Sequence, residues 1–295
     1  MLEGEILQGR KISRVEITEI KALIEANPLW SRWRLSRVLA QRWQWYAASG
    51  ELKDMAARTL LLKLHERELI ALPERRRAPS VRGPQLSAEL FDSVPPEPIV
   101  ADLPSLRPLQ IRVVGPKQPD YHLFQRYLAQ HHYLSYSGPV GENLGYLIRS
   151  CAGKDLACLL FGAAAWQCGP RDRWIGWSAE QRAQGLPFIV NHSRFLILPW
   201  VRVAHLASHI LSQIARRIDA DWQRRYHHRI YLLETFVQQD RFRGACYQAA
   251  NWIHVGQTTG RTRQSRRYRD NRLHAPVKDI YLYPLSSDGC RQLCG

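Results

Sequence analysis

Acidic residues are scarce in this sequence. Its 295 residues include 26 aspartates and glutamates against 42 lysines and arginines, which gives a formal net charge of +16. A chain with so few acids carries a positive field, which attracts polyanions and releases their counterions on binding. The composition therefore favours nucleic acid as the partner, with an anionic membrane surface as the second choice.

Long apolar runs and paired cysteines are also lacking. No stretch reaches the roughly 18 apolar residues that a membrane-spanning helix needs. The N-terminal MLEGEILQGRKIS has no apolar core of the signal-peptide type. These absences predict a soluble, cytoplasmic protein with no membrane partner. The six cysteines form no pair of CxxC motifs, and His205 and His209, spaced to share one helix face, have no evident third ligand, so we predict no metal site.

Proline divides the chain. Eight of the 17 prolines lie between positions 71 and 108, where the apolar periodicity is lost. Proline-rich segments of this kind sample extended conformations instead of packing. The pattern predicts a first domain at 1–73, a linker at 74–108 and a second domain at 109–295.

The first domain contains three helical patterns. ITEIKALIEANP ends at Pro28, SRWRLSRVLAQRWQW begins with Ser31 as a candidate N-cap, and LKDMAARTLLLKLHERELI follows. Three short helices before the extended ELIALPERR are typical of a winged helix-turn-helix module, although a small helical bundle fits the same pattern. Basic residues without interspersed acids favour DNA binding. The expected contacts are Arg34, Arg37 and Arg58 in the helices, and Arg75 and Arg76 in the wing.

The second domain alternates between helix and strand patterns. YHLFQRYLAQHHYL predicts a helix, and NLGYLIRSCAG with DLACLLFGAAAWQC predicts a hairpin that turns at Gly153. DRWIGWSAEQRAQGL predicts one helix, FIVNHSRFLILP a strand, and LASHILSQIARRIDADWQRRY one long helix. IYLLETFV, WIHVGQTTG and KDIYLYPL predict strands, with FRGACYQAAN as a short helix after the first of them. This order predicts an α/β (α+β) fold with a mixed sheet.

The succession over residues 120–285 resembles the GNAT N-acyltransferase fold, with FLILP as the central strand and LASHILSQIARRI as the helix after it. In that superfamily a glycine-rich loop lets backbone N–H groups approach a pyrophosphate at the helix N-terminus. Val203 and His205 stand where glycines would be needed. We therefore expect a GNAT-like domain without an acyl-CoA cofactor.

Four longer blocks follow one another in the second domain: NHSRFLILPWVRVAHLASHIL, LLETFV, RFRGACYQAANWIHVGQTTGR and KDIYLYPL. Together they resemble the DruA family of the Druantia anti-phage system, which also occurs near mobile elements and transposase-like genes. The resemblance implies a bacterial protein of defence or DNA mobility. It does not by itself supply a molecular activity.

Four residues of the second domain are candidate catalytic groups. Asn191 and Arg194 belong to NHSR at the entry to FLILP, where they form either the rim of a site or local turn contacts. Glu234 interrupts the apolar YLLETFV, so it either pairs with an arginine such as Arg194, the favoured interpretation, or acts as a base with a raised pKa. Tyr247 is either a hydrogen-bonding group for a substrate or a buried structural tyrosine.

A basic loop at 257–278 separates the last two strand patterns. GQTTGRTRQSRRYRD places five arginines in nine positions, with Tyr268 among them. Guanidinium groups clamp phosphates and aromatic rings stack on bases. The loop residues expected to bind nucleic acid are Arg261, Arg263, Arg266, Arg267 and Arg269.

These patterns lead to three functional hypotheses. The first is a DNA-binding protein of anti-phage defence or mobile-element type, which holds DNA with its helical domain and its arginine loop and needs no cofactor. The alternative is an enzyme that acts on DNA, either by strand cleavage with a divalent metal or by GNAT-like modification of a nucleobase or a protein. The third is a non-catalytic adaptor that marks DNA for a helicase or transposase partner.

Overall fold

The computed structural model describes residues 5–74, 97–136, 138–139, 141–260 and 275–294. The chain divides into two units, residues 1–81 and 82–295. Each unit has its own buried apolar core.

The first unit contains a short hairpin and three helices. The hairpin pairs β1 (Glu5–Leu7) with β2 (Arg10–Ile12). A capping box at Ser13 starts α1 (Arg14–Glu25), and Ser31 caps α2 (Arg32–Arg42) by accepting a hydrogen bond from the Arg34 N–H. The third helix is α3 (Asp54–Glu66). The core between these elements is aliphatic and includes Ile12, Ile20, Leu35, Leu39, Leu60 and Leu64.

The three predicted helices and the Ser31 cap are confirmed. The hairpin was not predicted, because its strands are short and carry polar residues. Residues 71–74, at the start of the predicted wing, form no strand. Arg75 and Arg76 lie outside the described residues, so the winged helix-turn-helix assignment stays a prediction.

The second unit is built on a seven-stranded mixed sheet. Its strands are β4 (Gln110–Val114), β5 (Asn143–Arg149), β6 (Asp155–Ala163), β7 (Ile189–Ile197), β9 (Leu232–Gln238), β10 (Ile253–Gln257) and β11 (Lys278–Pro284). They lie in the order β10-β11-β9-β7-β6-β5-β4. A separate parallel pair joins β3 (Ile99–Val100) to β8 (Val201–Arg202).

Seven helices of the second unit accompany the sheet in the described part of the chain. They are α4 (Tyr121–His131), α5 (Gly169–Ile175), α6 (Ala179–Gly185), α7 (Leu206–Ala215), α8 (Ile218–Tyr226), α9 (Ala245–Ala249) and α10 (Gly289–Cys294). The predicted mixed α/β class is confirmed by this alternation. None of the described helices of either unit is long and apolar enough to cross a membrane.

The candidate site lies where strands β7 and β9 separate. They pair in parallel only between Ile189–Asn191 and Leu232–Glu234. Both strands continue beyond this contact, β7 to Ile197 and β9 to Gln238. Because their pairing stops early, the sheet opens between them, and side chains from both strands line the opening.

Local geometry explains where the predicted elements hold and where they break. The β5–β6 hairpin is confirmed, and Gly153 supplies a φ of +79° in its turn. The predicted helix over DRWIGWSAEQRAQGL is two helices, divided at Gly176 with a φ of +81°. The predicted long helix after β8 is also two, α7 and α8. Between them Arg217 adopts a φ of −123°, and its guanidinium donates to Asp221 (2.7 Å) and to the Ile111 carbonyl (3.1 Å).

Candidate functional site

A pocket of about 400 Å³ lies where β7 and β9 part. Aromatic rings form much of its wall, and the polar side chains that line it are histidines, hydroxyls and one thiol. The lining includes His132, Tyr133, His192, Thr235, Phe242 and Tyr247. A volume of this size falls within the roughly 300–1,000 Å³ of typical small-ligand pockets.

A hydrogen-bonded cluster of three side chains lies at this pocket. The Tyr247 Oη is 3.2 Å from His192 Nδ1. The Thr235 hydroxyl donates to the His192 carbonyl (3.0 Å) and is 3.5 Å from Tyr247 Oη. Phe161 stacks on the His192 ring, with centroids 4.3 Å apart. These contacts fix the imidazole in one orientation.

Gly244 sets the position of the short helix α9, which carries Tyr247. It precedes α9 with a φ of +70°, in the left-handed region that favours glycine. A side chain there would collide with the hydroxyl and ring of Tyr281. Tyr281 in turn stacks on Tyr247, with centroids 5.8 Å apart. The short helix is therefore held close to β11.

Burial makes the pocket uncharged at neutral pH. His192 is 3% exposed, and desolvation lowers its pKa to about 3. Desolvation also lowers the pKa of His132 to about 4, with a smaller contribution from the positive charge of Arg194. The pKa of Tyr247 is raised by burial. The pocket can therefore offer hydrogen-bond donors and acceptors but no charge of its own.

Two arginines contact the neutral lining, and Lys278 lies near one of them. Arg194 is half-buried and donates from Nε to the Ser135 carbonyl (3.0 Å) and from Nη1 to the Ser193 carbonyl (2.8 Å). Burial lowers the pKa of Lys278, and the like charge of Arg194 lowers it further. Arg241 lies over the Tyr133 ring, 5.2 Å from its centroid. Within the described ranges, neither the Arg194 guanidinium nor the Lys278 ammonium has a carboxylate partner.

Glu234 lies on the opposite face of the sheet from this cluster. Successive strand residues point to opposite faces, so Glu234 faces away from its neighbour Thr235. Its side chain is fully buried. Oε1 accepts from the Ala165 N–H (2.6 Å) and Oε2 from Arg171 Nη1 (2.8 Å). Burial raises the pKa of Glu234, and the Arg171 charge opposes that rise.

Glu234 forms an ion pair, as favoured from the sequence, but with a different arginine from the one suggested. The arginine is Arg171 of α5, which also binds Asp172 (2.8 Å), and not Arg194. Arg194 lies on β7 past Asn191, where the pairing with β9 ends, and its guanidinium contacts backbone carbonyls. Asn191 is the register partner of Glu234, and its Oδ1 is buried without a hydrogen-bond partner in the described parts of the chain.

The four candidate catalytic residues therefore do not form one constellation. Tyr247 lines the pocket, Arg194 lies beside its lining, and Asn191 and Glu234 belong to the other face. Sequence reasoning missed His192 as the partner of Tyr247, although His192 stands in the NHSR stretch. It also missed His132, Thr235 and Lys278. The adjacent His131, His132 and Tyr133 at the end of α4 were the one sequence signal that could have drawn attention to this wall.

A second surface of interest lies on α2 of the first unit. Arg34 and Arg37 are exposed, and each guanidinium lies over an indole, 4.6 Å from the Trp30 centroid and 5.1 Å from the Trp33 centroid. Trp33 is 55% exposed. Trp33, Arg34 and Arg37 belong to α2, and Trp30 lies just before its N-cap Ser31. Each arginine follows its tryptophan by four positions, the spacing at which side chains of a helix meet. We call this set the arginine–tryptophan stripe.

Of the remaining predicted nucleic-acid contacts, only Arg58 lies among the described residues. Arg58 on α3 is half-buried, and its Nε is shielded from solvent without a hydrogen-bond partner in the described ranges. Arg75 and Arg76 lie outside the described residues. The same is true of the loop arginines Arg261, Arg263, Arg266, Arg267 and Arg269.

The histidine pair considered for metal binding does not share a helix face. His205 precedes α7 in the left-handed region, with a φ of +61°. His209 lies 3.2 Å from Arg107 Nη2 through Nδ1 and 2.6 Å from Gln213 Nε2 through its own Nε2. Across the described residues, no three His, Cys, Asp or Glu side chains are grouped so that they could hold a metal ion.

Comparison with known proteins identifies the family. Residues 64–269 match the family model described as Druantia protein DruA. The chain belongs to the DruA family. The match begins near the end of α3 and covers most of the second unit of this DruA-family chain. Comparison with curated proteins gave no significant match.

The solved structures similar to this DruA-family chain include N-acyltransferases. Spermidine/spermine N-acetyltransferase SpeG from Vibrio cholerae, in complex with manganese ions, is 6% identical, with a TM-score of 0.39 and coverage of 62% of this chain and 96% of that chain. A putative acyl-CoA N-acyltransferase from Klebsiella pneumoniae subsp. pneumoniae is 14% identical, with a TM-score of 0.37 and coverage of 60% and 98%. These are proteins of the fold that the sequence resembles.

Proposed function

We propose that this DruA-family protein binds DNA as part of anti-phage defence. Family membership supports the defence role. The observation that carries the DNA-binding proposal is the arginine–tryptophan stripe on α2. A helix that places guanidinium groups and indoles side by side offers both phosphate contacts and stacking surfaces.

The charge around the stripe supports this proposal. In the described part of the chain, no carboxylate forms an ion pair with Arg34 or Arg37, so both positive charges face solvent. A solvated helix surface with no role in binding usually mixes acids among its bases. Trp33, Arg34 and Arg37 are all exposed. A helix of this composition fits a phosphate backbone, and the overall charge of +16 adds long-range attraction.

The test is the salt dependence of DNA binding. The double variant Arg34→Ala/Arg37→Ala should bind a labelled duplex more weakly than the wild type. Each phosphate contact contributes roughly 0.9 to the slope of log affinity against log salt on duplex DNA, so losing both contacts should flatten the slope by about 2. Fluorescence anisotropy over a range of salt concentrations measures both quantities.

A matched control separates the stripe from simple loss of charge. Arg14→Ala/Lys21→Ala removes two exposed cations from α1 of the same unit and changes the net charge equally. Its salt slope should remain close to that of the wild type. Equal slopes for the two double variants would contradict a specific role of the stripe, and a wild type that binds no DNA would overturn the proposal. A helicase or transposase partner stays a prediction.

A further inference from the structure

The pocket between β7 and β9 has chemistry that DNA-backbone binding does not use. Its wall contains the aromatic pair Tyr133 and Phe242, with centroids 5.3 Å apart. Phe242 is 48% exposed, although its ring is large and apolar. An aromatic surface of this kind is suited to stacking on a planar ring.

The polar atoms of the pocket are suited to a neutral heterocycle. His132, His192, Thr235 and Tyr247 supply an imidazole, a hydroxyl or a phenol, and no carboxylate or cationic side chain lines the pocket in the described residues. The Nε2 of His192 is buried and has no hydrogen-bond partner there. Buried polar atoms usually have a partner, so this ring nitrogen retains unused hydrogen-bonding capacity.

The cations beside the pocket are suited to an anion. Arg194 adjoins Ser193 of the lining, and Lys278 pairs with Gln238, which adjoins Val237 of the lining. Both cations are half-buried, and the charge of Arg194 lowers the pKa of Lys278. Two such cations without a carboxylate between them, within the described ranges, are destabilising unless an anion joins them.

We propose that this pocket binds one nucleotide of the bound nucleic acid, with the base against Tyr133 and Phe242 and the phosphate at Arg194 and Lys278. The proposal rests on the proposed function, because the nucleic acid presents the nucleotide. A base can reach such a pocket from a single strand, or by leaving the stack of a duplex. The buried hydrogen-bonding groups would then contact the edge of the base.

A polyamine is a poor occupant of the same pocket. A polycation would meet the like charges of Arg194 and Lys278, and no acid lines the pocket, in the described residues, to compensate them. The ligand must therefore combine an anion with a planar, hydrogen-bonding ring. A nucleotide has both parts in one molecule.

The experiment is photo-cross-linking with 5-iodouracil as the base analogue. One probe is a single-stranded DNA oligonucleotide with one 5-iodouracil, and the other is free 5-iodo-2′-deoxyuridine monophosphate. After irradiation of the full chain, mass spectrometry locates the adduct. We expect the oligonucleotide to form an adduct at Tyr133 or Phe242.

Two pairs of variants test the same contacts by affinity. Phe242→Ala should weaken binding of the oligonucleotide about tenfold, because it removes one stacking surface. Ile253→Ala, which removes an exposed apolar side chain of β10 outside the pocket, should leave the affinity unchanged. Lys278→Gln should weaken binding more than Lys154→Gln, which causes the same loss of charge at the exposed β5–β6 turn.

The outcomes distinguish this inference from the proposed function. Binding of the oligonucleotide with adducts only outside the pocket, and equal affinities within each pair of variants, would overturn the inference and leave DNA binding intact. Adducts at the pocket from the free monophosphate alone would overturn the assignment to bound nucleic acid and make the pocket a site for free nucleotides. Absence of both binding and adducts would overturn the inference together with the proposed function.

Discussion

At the scale of single residues, the buried ion pair between Glu234 and Arg171 is costly to desolvate but closely hydrogen-bonded. Both side chains are fully buried, and their 2.8 Å contact is supported by hydrogen bonds to Ala165 and Asp172. Glu234→Gln leaves the Arg171 charge without its main partner in a dry environment. Removing one partner of a buried ion pair typically costs about 3–5 kcal/mol. We expect a loss of this order in the free energy of unfolding, measured by urea denaturation.

The control for Glu234 is an ion pair at the surface. Arg291→Gln breaks the contact with Asp288, in which the two side chains are 85% and 60% exposed, and should leave stability near that of the wild type. DNA binding by Glu234→Gln should fall only in proportion to the unfolded fraction. A variant with normal stability but no activity in a phage-protection assay would show instead that Glu234 takes part in chemistry.

At the scale of secondary-structure elements, Gly244 links α9 to β11 and so sets the position of Tyr247. Gly244→Ala adds a left-handed φ penalty of about 1–2 kcal/mol and a collision with Tyr281. Overpacking of this kind adds about 1–3 kcal/mol more. Gly153→Ala is the matched control, because Gly153 has a φ of +79° and open space around its Cα. Urea denaturation should show a larger loss of unfolding free energy for Gly244→Ala than for Gly153→Ala. Equal losses would mean that Tyr281 moves aside at little cost.

The elements that the sequence predicted are those fixed by local patterns. The β5–β6 hairpin follows from two apolar runs around Gly153, and α2 follows from Ser31 and its periodic leucines. The break between α7 and α8 was missed because Arg217 reaches the Ile111 carbonyl, far away in sequence. Which arginine meets a buried acid is likewise set by packing. Arg171 and Glu234 are 63 positions apart, and no periodicity within either segment links them.

The candidate site was harder to predict for the same reason. Tyr247 was singled out, but its partner His192 is 55 positions away and becomes a neighbour only because β7 and β9 part. The neutral state of His192 depends on complete burial, which the polar NHSR stretch does not indicate. The net charge, by contrast, follows directly from the composition, and it is the basis for proposing a polyanionic partner.

At the scale of the whole molecule, the charge of +16 should make nucleic-acid binding strongly dependent on salt. The loop between β10 and β11 contributes six of the arginines, and replacing Arg263, Arg266, Arg267 and Arg269 with alanine tests the share of four of them. If most of these arginines touch phosphates, the slope of log affinity against log salt should flatten by about 2 to 4 units on duplex DNA. Sequence preference should survive, because the base contacts that we propose lie outside this loop.

The control for the loop removes four positive charges elsewhere in the second unit. Lys117, Lys154, Arg173 and Arg291 are exposed, and their replacement by alanine lowers the net charge equally. General attraction falls in both quadruple variants, but direct phosphate contacts are lost only in the loop variant, so its slope should be the flatter of the two. Circular dichroism must show that both variants are folded. An unchanged slope in a folded loop variant would mean that these arginines serve another partner, for which an acidic protein surface is the matching chemistry.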